Sequence, residues 1–200
     1  MRLFASALLL TAIVAYPCAA DAGEKKDGKK PVKKAKQVAK KVDIGKQAPK
    51  FQIKSLDGKV IDLAKLTAKG PVLVRLTCGC KGCDKELAYF QTLHKAYKGK
   101  GLTSLAIFRE PDKKVEEYVK TKKLNMLYAV DTKGLSWKIF ETKTMPTNFL
   151  IEKGGKIKAI AAGCDPTGLV AKALSKKVAE LLKTETVDVK KETDKKTAAK

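Results

Sequence analysis

The sequence predicts an α/β sandwich with a mixed central sheet, preceded by a β-hairpin. Strand-like and helix-like segments alternate through the middle of the chain, as they do in layered α/β folds. Residues 72–77 form a nearly continuous apolar run, which is typical of a strand covered on both faces. The pattern ends in a strand pair followed by an amphipathic helix, which places an antiparallel pair and a last helix in the sandwich.

The first half of this folded segment carries the hairpin and the longest helix. Residues 51–56 alternate between apolar and polar, and Asp57 and Gly58 give a strong two-residue turn signal. Residues 60–63 then form the second strand of a β-hairpin. From residue 84 to about residue 98, apolar side chains recur at helical spacing, and glycines then stop the pattern. Residues 102–108 follow as a second buried strand.

The second half adds the remaining elements. A helix begins at Pro111, a short strand covers residues 126–130, and residues 147–151 and 157–162 flank a glycine pair as another hairpin. Asp165 is placed to cap the last helix. The buried stripe predicted for that helix consists of Val170, Leu174, Val178 and Leu181.

The first residues read as a secretory signal peptide. Arg2 is followed by an uncharged run at residues 3–14 and then by small residues, which predicts cleavage after Ala20 or Ala22. We therefore expect an exported protein, periplasmic or otherwise extracytoplasmic. An uncleaved signal would tether the protein to the membrane, although the run is shorter than the ~20 residues of a spanning helix. Lipidation at Cys18 is the third alternative.

Composition divides the chain into four segments. They are a signal peptide at 1–22, a lysine-rich disordered linker at 23–45, a folded domain at 46–183, and a charged disordered tail at 184–200. Both charged segments lack a periodic apolar face. The sequence therefore predicts one hydrophobic core.

The net charge of +22 is carried almost wholly by lysine, with Arg2, Arg75 and Arg109 as the only arginines. Sequence-specific nucleic-acid readers rely on arginine and on interleaved aromatic side chains, so no specific nucleic-acid partner is expected. The lysine-rich linker favours peripheral contact with anionic surfaces, or it serves solubility alone.

The cysteines point to a site. If Cys18 leaves with the signal, the mature chain keeps Cys78, Cys80, Cys83 and Cys164, an even number suited to an oxidising compartment. The first three fall within six residues. A structural disulfide framework would spread its bridges along the chain, so this clustering indicates chemistry.

The spacing of Cys80 and Cys83 suits disulfide exchange. The pair follows a buried strand and opens a helix, where unpaired N–H groups stabilise a thiolate. Cys80 is predicted to be the exposed nucleophile, and Cys83, one turn later, to attack the mixed disulfide. Lys81 adds a positive charge that should lower the pKa of Cys80 further.

Several segments resemble the thioredoxin-like proteins of the TlpA and redoxin (AhpC/TSA-related) group. The resemblance covers about residues 44–182. It implies a thioredoxin-like three-layer sandwich and an exported thiol:disulfide oxidoreductase. It implies no cofactor beyond the redox-active Cys80–Cys83 disulfide. The expected partners are protein thiols or disulfides and an unidentified electron donor. The segments that carry it are 45–51, 57–59, 70–74, 80–87, 93–98 and 145–151.

The resemblance also assigns residues outside the cysteine motif. It implies that the Met145-Pro146 bond is cis, that Pro146 packs against the cysteines, and that the Met145 backbone pairs with a substrate strand. Gly163 would border the same groove. Arg75 falls near the position of the buried acid of thioredoxins, so we expect a site without that base, which favours the thiolate and makes a weaker reductant.

Two other functions fit the same residues. A peroxiredoxin-like thiol peroxidase is suggested by the Thr-x-x-Cys pattern from Thr77 to Cys80, although Met145-Pro146 stands where an activating arginine is expected. A copper- or zinc-binding module is suggested by the number of soft thiol ligands, although the later histidine of copper chaperones is missing. We predict no metal.

Cys78 and Cys164 are predicted to be accessory thiols beside the main pair. Cys78 lies two residues before the nucleophile, and Cys164 follows the glycine expected at the groove. The two could form a second disulfide, a relay that accepts oxidation from the Cys80–Cys83 pair, or part of a metal site. The oxidising compartment ranks a relay or second bridge above metal.

Overall fold

The computed structural model describes residues 42–198. The predicted signal peptide and nearly all of the predicted linker lie outside the described residues, as do the last two positions. Within residues 42–198, no helix has both the length and the apolar character that crossing a bilayer requires.

The described chain forms seven strands and six α-helices in the alternating order that the sequence predicts. A 3-10 turn, Lys98–Lys100, follows the second helix. The strands are β1 Gln52–Lys54, β2 Val60–Asp62, β3 Val72–Thr77, β4 Thr103–Phe108, β5 Leu127–Val130, β6 Thr147–Ile151 and β7 Ile157–Ala162. The helices are α1 Leu63–Lys69, α2 Lys81–Tyr97, α3 Asp112–Lys122, α4 Leu135–Ile139, α5 Leu169–Leu182 and α6 Val189–Ala198.

The central sheet is mixed, and β3 is its middle strand. The order is β5-β4-β3-β6-β7, with β3 parallel to β4 and antiparallel to β6. The short strands β1 and β2 pair separately as an antiparallel hairpin. The predicted thioredoxin-like sandwich with its N-terminal hairpin is confirmed.

Apolar side chains cover both faces of the sheet. Successive side chains of β3 point to opposite faces, so this strand contributes to both layers. Val72, Val74 and Leu76 pack with α4 and the hairpin on one face. Leu73 packs with α2, α5 and α6 on the other face, where Arg75 also lies buried. Coverage on both sides explains why β3 reads as a continuous apolar run.

The end of the chain differs from the sequence prediction of a disordered tail at 184–200. Residues Val189–Ala198 form helix α6, with Val189 and Thr193 buried. Two apolar or small side chains four residues apart give this charged helix a narrow inner face, too short to register as a periodic stripe. The helix packs on α2 and α5, and Tyr89 donates a hydrogen bond to Asp194 at 2.9 Å.

The start of the folded part also lies earlier than predicted. Val42 is buried in the cluster on the hairpin side of the sheet. The Gly45 N–H donates to the Ile157 carbonyl at 2.8 Å, and the Ile157 N–H donates to the Lys46 carbonyl at the same distance. Residues 42–45, expected at the end of the linker, therefore belong to the folded domain.

Candidate active site

The three clustered cysteines lie where the central strand meets the second helix. β3 ends at Thr77, and α2 begins at Lys81 with Cys80 as its N-cap. Cys80 has extended backbone angles, and its carbonyl accepts the N–H of Asp84 at 2.9 Å, which closes the first helical turn. The strand-then-helix order thus presents Cys80 at the positive end of a 17-residue helix.

The cysteine thiols differ in exposure. Cys80 is exposed, Cys78 is half-buried and Cys83 is buried. The Cys78 Sγ lies 2.9 Å from the Cys80 Sγ and 3.4 Å from the Cys83 Sγ. All three sulfurs lie within 4.8 Å of one another. An exposed thiol next to a buried one is the arrangement that the sequence predicts for nucleophile and resolving partner.

The pKa of the Cys80 thiol is lowered to about 7. The largest cause is the S–H donated by Cys78, followed by the backbone N–H of Cys83 at the start of the helix. The same interaction acts in the other direction on Cys78. Burial and the contact with Cys80 raise the pKa of the Cys78 thiol to about 12. Cys80 is therefore the sulfur that carries negative charge near neutral pH, while Cys78 holds its proton.

The N–H groups at the helix start contribute to that pKa shift as the sequence predicts, but the largest cause, the Cys78 thiol, was not predicted. Lys81 was expected to lower the pKa of Cys80, but its side chain is exposed and the leading interactions are with Cys78 and the backbone. The position of Cys78 two residues before Cys80 predicted an accessory thiol beside the pair. Sequence alone could not show which way its thiol points.

Beneath the cysteines, Arg75 forms a buried ion pair with Glu86 of α2. The guanidinium also donates to the Asn148 Oδ1 at 3.0 Å and lies over the Phe90 ring, 4.3 Å from its centroid. It approaches the Cys83 carbonyl at 3.5 Å, so the pair sits directly under Cys83.

The partner of Arg75 is a buried acid that the sequence prediction did not include. Glu86 is 1% exposed, and its second oxygen accepts the Asp165 N–H at 3.0 Å. Its spacing from Cys83 and Phe90, three and four residues away, places it on the inward stripe of α2. That stripe was the sequence signal for a buried carboxylate, and Arg75 on the facing strand was the signal for its partner.

The Met145-Pro146 bond is cis, as the resemblance implied. Because Leu76 pairs with Thr147, the residues before β6 leave the sheet next to the residues that follow Thr77, so this segment adjoins the cysteine loop. Pro146 is buried and Met145 is 36% exposed. The Gly163 N–H donates to the Pro146 carbonyl at 2.8 Å, which ties Gly163 to the same edge of the site.

Cys164 approaches the motif from the other side. Its exposed thiol donates to the Gly82 carbonyl at 2.8 Å, and a Cβ on Gly82 would lie 3.7 Å from the Cys164 Sγ and 3.9 Å from the Cys80 Sγ. Cys78 contacts Cys80 and Cys83 instead. The predicted accessory thiols therefore flank the motif on two sides, with Cys78 inside the sulfur cluster and Cys164 engaged with the backbone.

Cys78, Cys80 and Cys83 could together hold a soft metal ion. A structural zinc site uses four ligands, and sulfurs ~2.3 Å from one tetrahedral zinc lie ~3.8 Å apart. The 2.9 and 3.4 Å separations at Cys78 are shorter than that, and Cys164 directs its thiol to Gly82. The geometry favours sulfur–sulfur exchange over tetrahedral metal binding.

Comparison with known proteins agrees with this chemistry. The model of the AhpC/TSA family matches residues 44–160. The thiol-disulfide oxidoreductase ResA of Bacillus thuringiensis subsp. konkukian (strain 97-27) is 38% identical over 118 residues, which span 58% of this chain and 68% of that protein. ResA of Bacillus subtilis (strain 168) is 28% identical over 123 residues, which span 61% of this chain and 69% of that protein.

Solved structures share the fold. A Chlorobium tepidum protein assigned as the thiol:disulfide interchange protein DsbE matches with a TM-score of 0.65 at 24% identity, covering 70% of this chain and 99% of that one. The peroxidoxin BcpB of Mycobacterium tuberculosis matches with a TM-score of 0.57 at 20% identity, covering 71% and 97%. At these identities the likeness concerns the fold alone.

Proposed function

We propose that this chain, which belongs to the AhpC/TSA family and is a thiol-disulfide oxidoreductase, exchanges disulfides with protein thiols through Cys80 and Cys83. One observation carries the proposal. The exposed Cys80 sulfur, with its pKa lowered to about 7, lies at a helix amino end within 4.8 Å of the buried Cys83 sulfur. An accessible thiolate beside a shielded second thiol is what a two-step exchange needs.

The reaction begins with the Cys80 thiolate. It attacks one sulfur of a substrate disulfide, a Cys80–substrate bond forms, and the other substrate sulfur leaves as a thiolate. Cys83 then loses its proton and attacks the Cys80 sulfur, so the substrate departs as its second thiolate. The substrate disulfide is reduced by two electrons and the Cys80–Cys83 pair is oxidised by two. The reverse sequence oxidises a substrate dithiol.

Substrate binding is assigned to the edge formed by Met145, Pro146 and Gly163. The exposed Met145 adjoins the cysteine loop, and an extended substrate strand can pair with its backbone while presenting a sulfur to Cys80. The hydrogen bond from Gly163 to the Pro146 carbonyl holds that edge in place.

Peroxide reduction is the second candidate function, since the family name covers such enzymes and the Thr77–Cys80 pattern fits it. A peroxiredoxin-like site is expected to place a cation next to its reactive sulfur, where it stabilises the thiolate. Arg75 is engaged with Glu86 and Asn148, and Arg109 lies over the Trp137 ring, 5.9 Å from its centroid. Neither arginine of residues 42–198 is directed at Cys80, which favours disulfide exchange.

Export completes the proposal. The amino-terminal pattern supports delivery to an extracytoplasmic compartment, where an unidentified electron donor would reset the cysteine pair. The lysine-rich segment before residue 42 is assigned peripheral contact with anionic surfaces. Fractionation of cells that express the full chain tests the location, and retention in the cytoplasm would contradict it.

Reduction of insulin disulfides by dithiothreitol tests the exchange directly. We expect catalysis by the wild type and by Cys164→Ser, and none by Cys80→Ser. Cys164→Ser is the matched control because it also removes an exposed thiol, while serine can still donate to the Gly82 carbonyl. Equal catalysis by Cys80→Ser would contradict the assignment of the nucleophile.

A further inference from the structure

Cys78 occupies the centre of the sulfur cluster, although it stands outside the CxxC motif. Its sulfur lies 2.9 Å from the exposed Cys80 and 3.4 Å from the buried Cys83. The side chain is half-buried, so it is shielded from solvent more than Cys80 and less than Cys83. A thiol in this position can reach the sulfur of Cys80 or of Cys83 with little movement of the backbone.

We infer that Cys78 is a second resolving thiol, able to discharge the mixed disulfide at Cys80 when Cys83 does not. This inference rests on the proposed function. In the step, the Cys78 thiol loses its proton and its sulfur attacks the Cys80 sulfur. The bond from Cys80 to the substrate breaks, the substrate sulfur leaves with the electron pair and takes up a proton, and a Cys78–Cys80 disulfide forms.

The hydrogen bond between the two thiols sets the order of events. In the resting site the Cys78 S–H is donated to the Cys80 thiolate. Once Cys80 has reacted, its sulfur carries no charge, and Cys78 is released from its role as donor. Burial still disfavours the Cys78 thiolate, so its attack is slower than the first attack by Cys80.

The loop that carries Cys78 is held against helix α3. A Cβ added to Gly79 would lie 3.3 Å from the Cδ2 atom of Tyr118, so the loop packs on this ring with little room for a larger residue. Tyr118 in turn donates to the Asp84 carboxylate at 3.1 Å. This packing fixes the short Cys78-Gly79-Cys80 turn and keeps the two sulfurs in contact.

A reaction with limiting dithionitrobenzoate tests the inference. Attack by Cys80 releases one thionitrobenzoate, and an intramolecular resolving thiol releases a second from the same reagent. All variants carry Cys164→Ser, because Cys164 is exposed and would react by itself. With Cys83→Ser added, we expect two thionitrobenzoates per reagent, the second more slowly. With Cys78→Ser and Cys83→Ser both added, we expect one.

Tryptic mapping identifies the bond that forms. Cleavage after Arg75 and Lys81 leaves Cys78 and Cys80 in one peptide, while Cys83 falls in the next. In the Cys83→Ser variant we expect the 76–81 peptide to be lighter by two hydrogens, with no cross-linked partner. A cross-link between two protein molecules would instead show resolution by a second copy and would overturn the inference.

The outcomes separate the inference from the proposed function. One thionitrobenzoate from the Cys83→Ser variant, with two from the Cys78→Ser variant, would overturn the role of Cys78 and leave the Cys80–Cys83 pair intact. Release of one thionitrobenzoate per reagent from the Cys78→Ser variant would show that Cys83 does not attack the mixed disulfide at Cys80, and the proposed function would fail. A Cys80→Ser variant that reacts as fast as the others would show that Cys80 is not the attacking thiol, which would contradict both the inference and the proposed function.

Discussion

The two faces of strand β3 are built on different principles. The face that presents Val72, Val74 and Leu76 is apolar throughout and packs against the hairpin side of the molecule. The opposite face places Arg75 in a buried ion pair with Glu86, directly under Cys83. Burying two charges costs solvation that apolar residues would not lose, so the second face gives up stability near the cysteines.

The apolar face of β3 contributes stability, and the polar face supports the cysteines. The apolar face can be repacked with similar volumes at little consequence to the sulfurs. The polar face cannot, because Arg75 reaches both the carbonyl of Cys83 and the strand β6 residue Asn148, which follows the cis-proline segment by two positions. Changes on the two faces should therefore be separable by experiment.

The largest effect is expected from Glu86→Ala. Removal of the carboxylate leaves the buried Arg75 charge without its partner, which costs ~3–5 kcal/mol of unfolding free energy. Urea unfolding of the reduced protein measures it.

The double variant Arg75→Met/Glu86→Leu is its matched control. Replacement of a whole buried pair by apolar residues is often neutral, so much of the loss should be recovered. A Glu86→Ala variant with unchanged stability would contradict the ion pair.

Leu76→Ala probes the apolar face. The fully buried side chain packs in the cluster on the hairpin side of the sheet, and its truncation should cost ~2–5 kcal/mol. The pH midpoint for alkylation of Cys80 should stay unchanged, which iodoacetamide kinetics can measure. A shifted midpoint would show that the two faces are coupled.

Val189→Ala tests helix α6, which covers the cluster on the Arg75 side of the sheet. Val189 is fully buried, and loss of two methyl-sized groups should cost roughly 1.5 kcal/mol. Lys191→Ala, at an exposed position two residues later, is the control. Equal stability of both variants would favour the disordered tail that composition predicts.

The smallest effect is expected from Cys78→Ala. Without the S–H donor, the pKa of Cys80 should rise from about 7 by roughly one unit, equivalent to ~1.4 kcal/mol. The alkylation rate of Cys80 rises with the thiolate fraction, so its midpoint moves to higher pH. Cys78→Ser keeps an O–H donor and should recover part of the shift. An unchanged midpoint in Cys78→Ala would leave the helix amino end as the main cause.

The sequence predicts the fold well because the relevant signals are local. Apolar runs locate β3 and β6, turn residues locate the hairpins, and helical spacing locates α2 and α5. The position of the cysteines at a strand-to-helix junction also follows from local pattern. The cis bond at Pro146 followed from resemblance and is confirmed.

The remaining features depend on contacts between distant segments. Helical spacing places Glu86 on the inward face of α2, but only the folded sheet brings Arg75 opposite it. Helix α6 reads as a charged tail because its buried face consists of little more than Val189 and Thr193. The direction of the Cys78 thiol depends on how the loop packs on Tyr118. These contacts between distant segments are not encoded in a periodicity.

Disulfide exchange through Cys80 is tested most directly by comparing two substrates of the wild-type protein. Rates of insulin disulfide reduction and of hydrogen peroxide turnover are measured with the same thiol donor, alongside Cys80→Ser. We expect disulfide reduction that depends on Cys80 and peroxide consumption no faster than that of an ordinary thiol. Peroxide turnover that exceeds disulfide reduction, and that persists in Cys83→Ala, would contradict it.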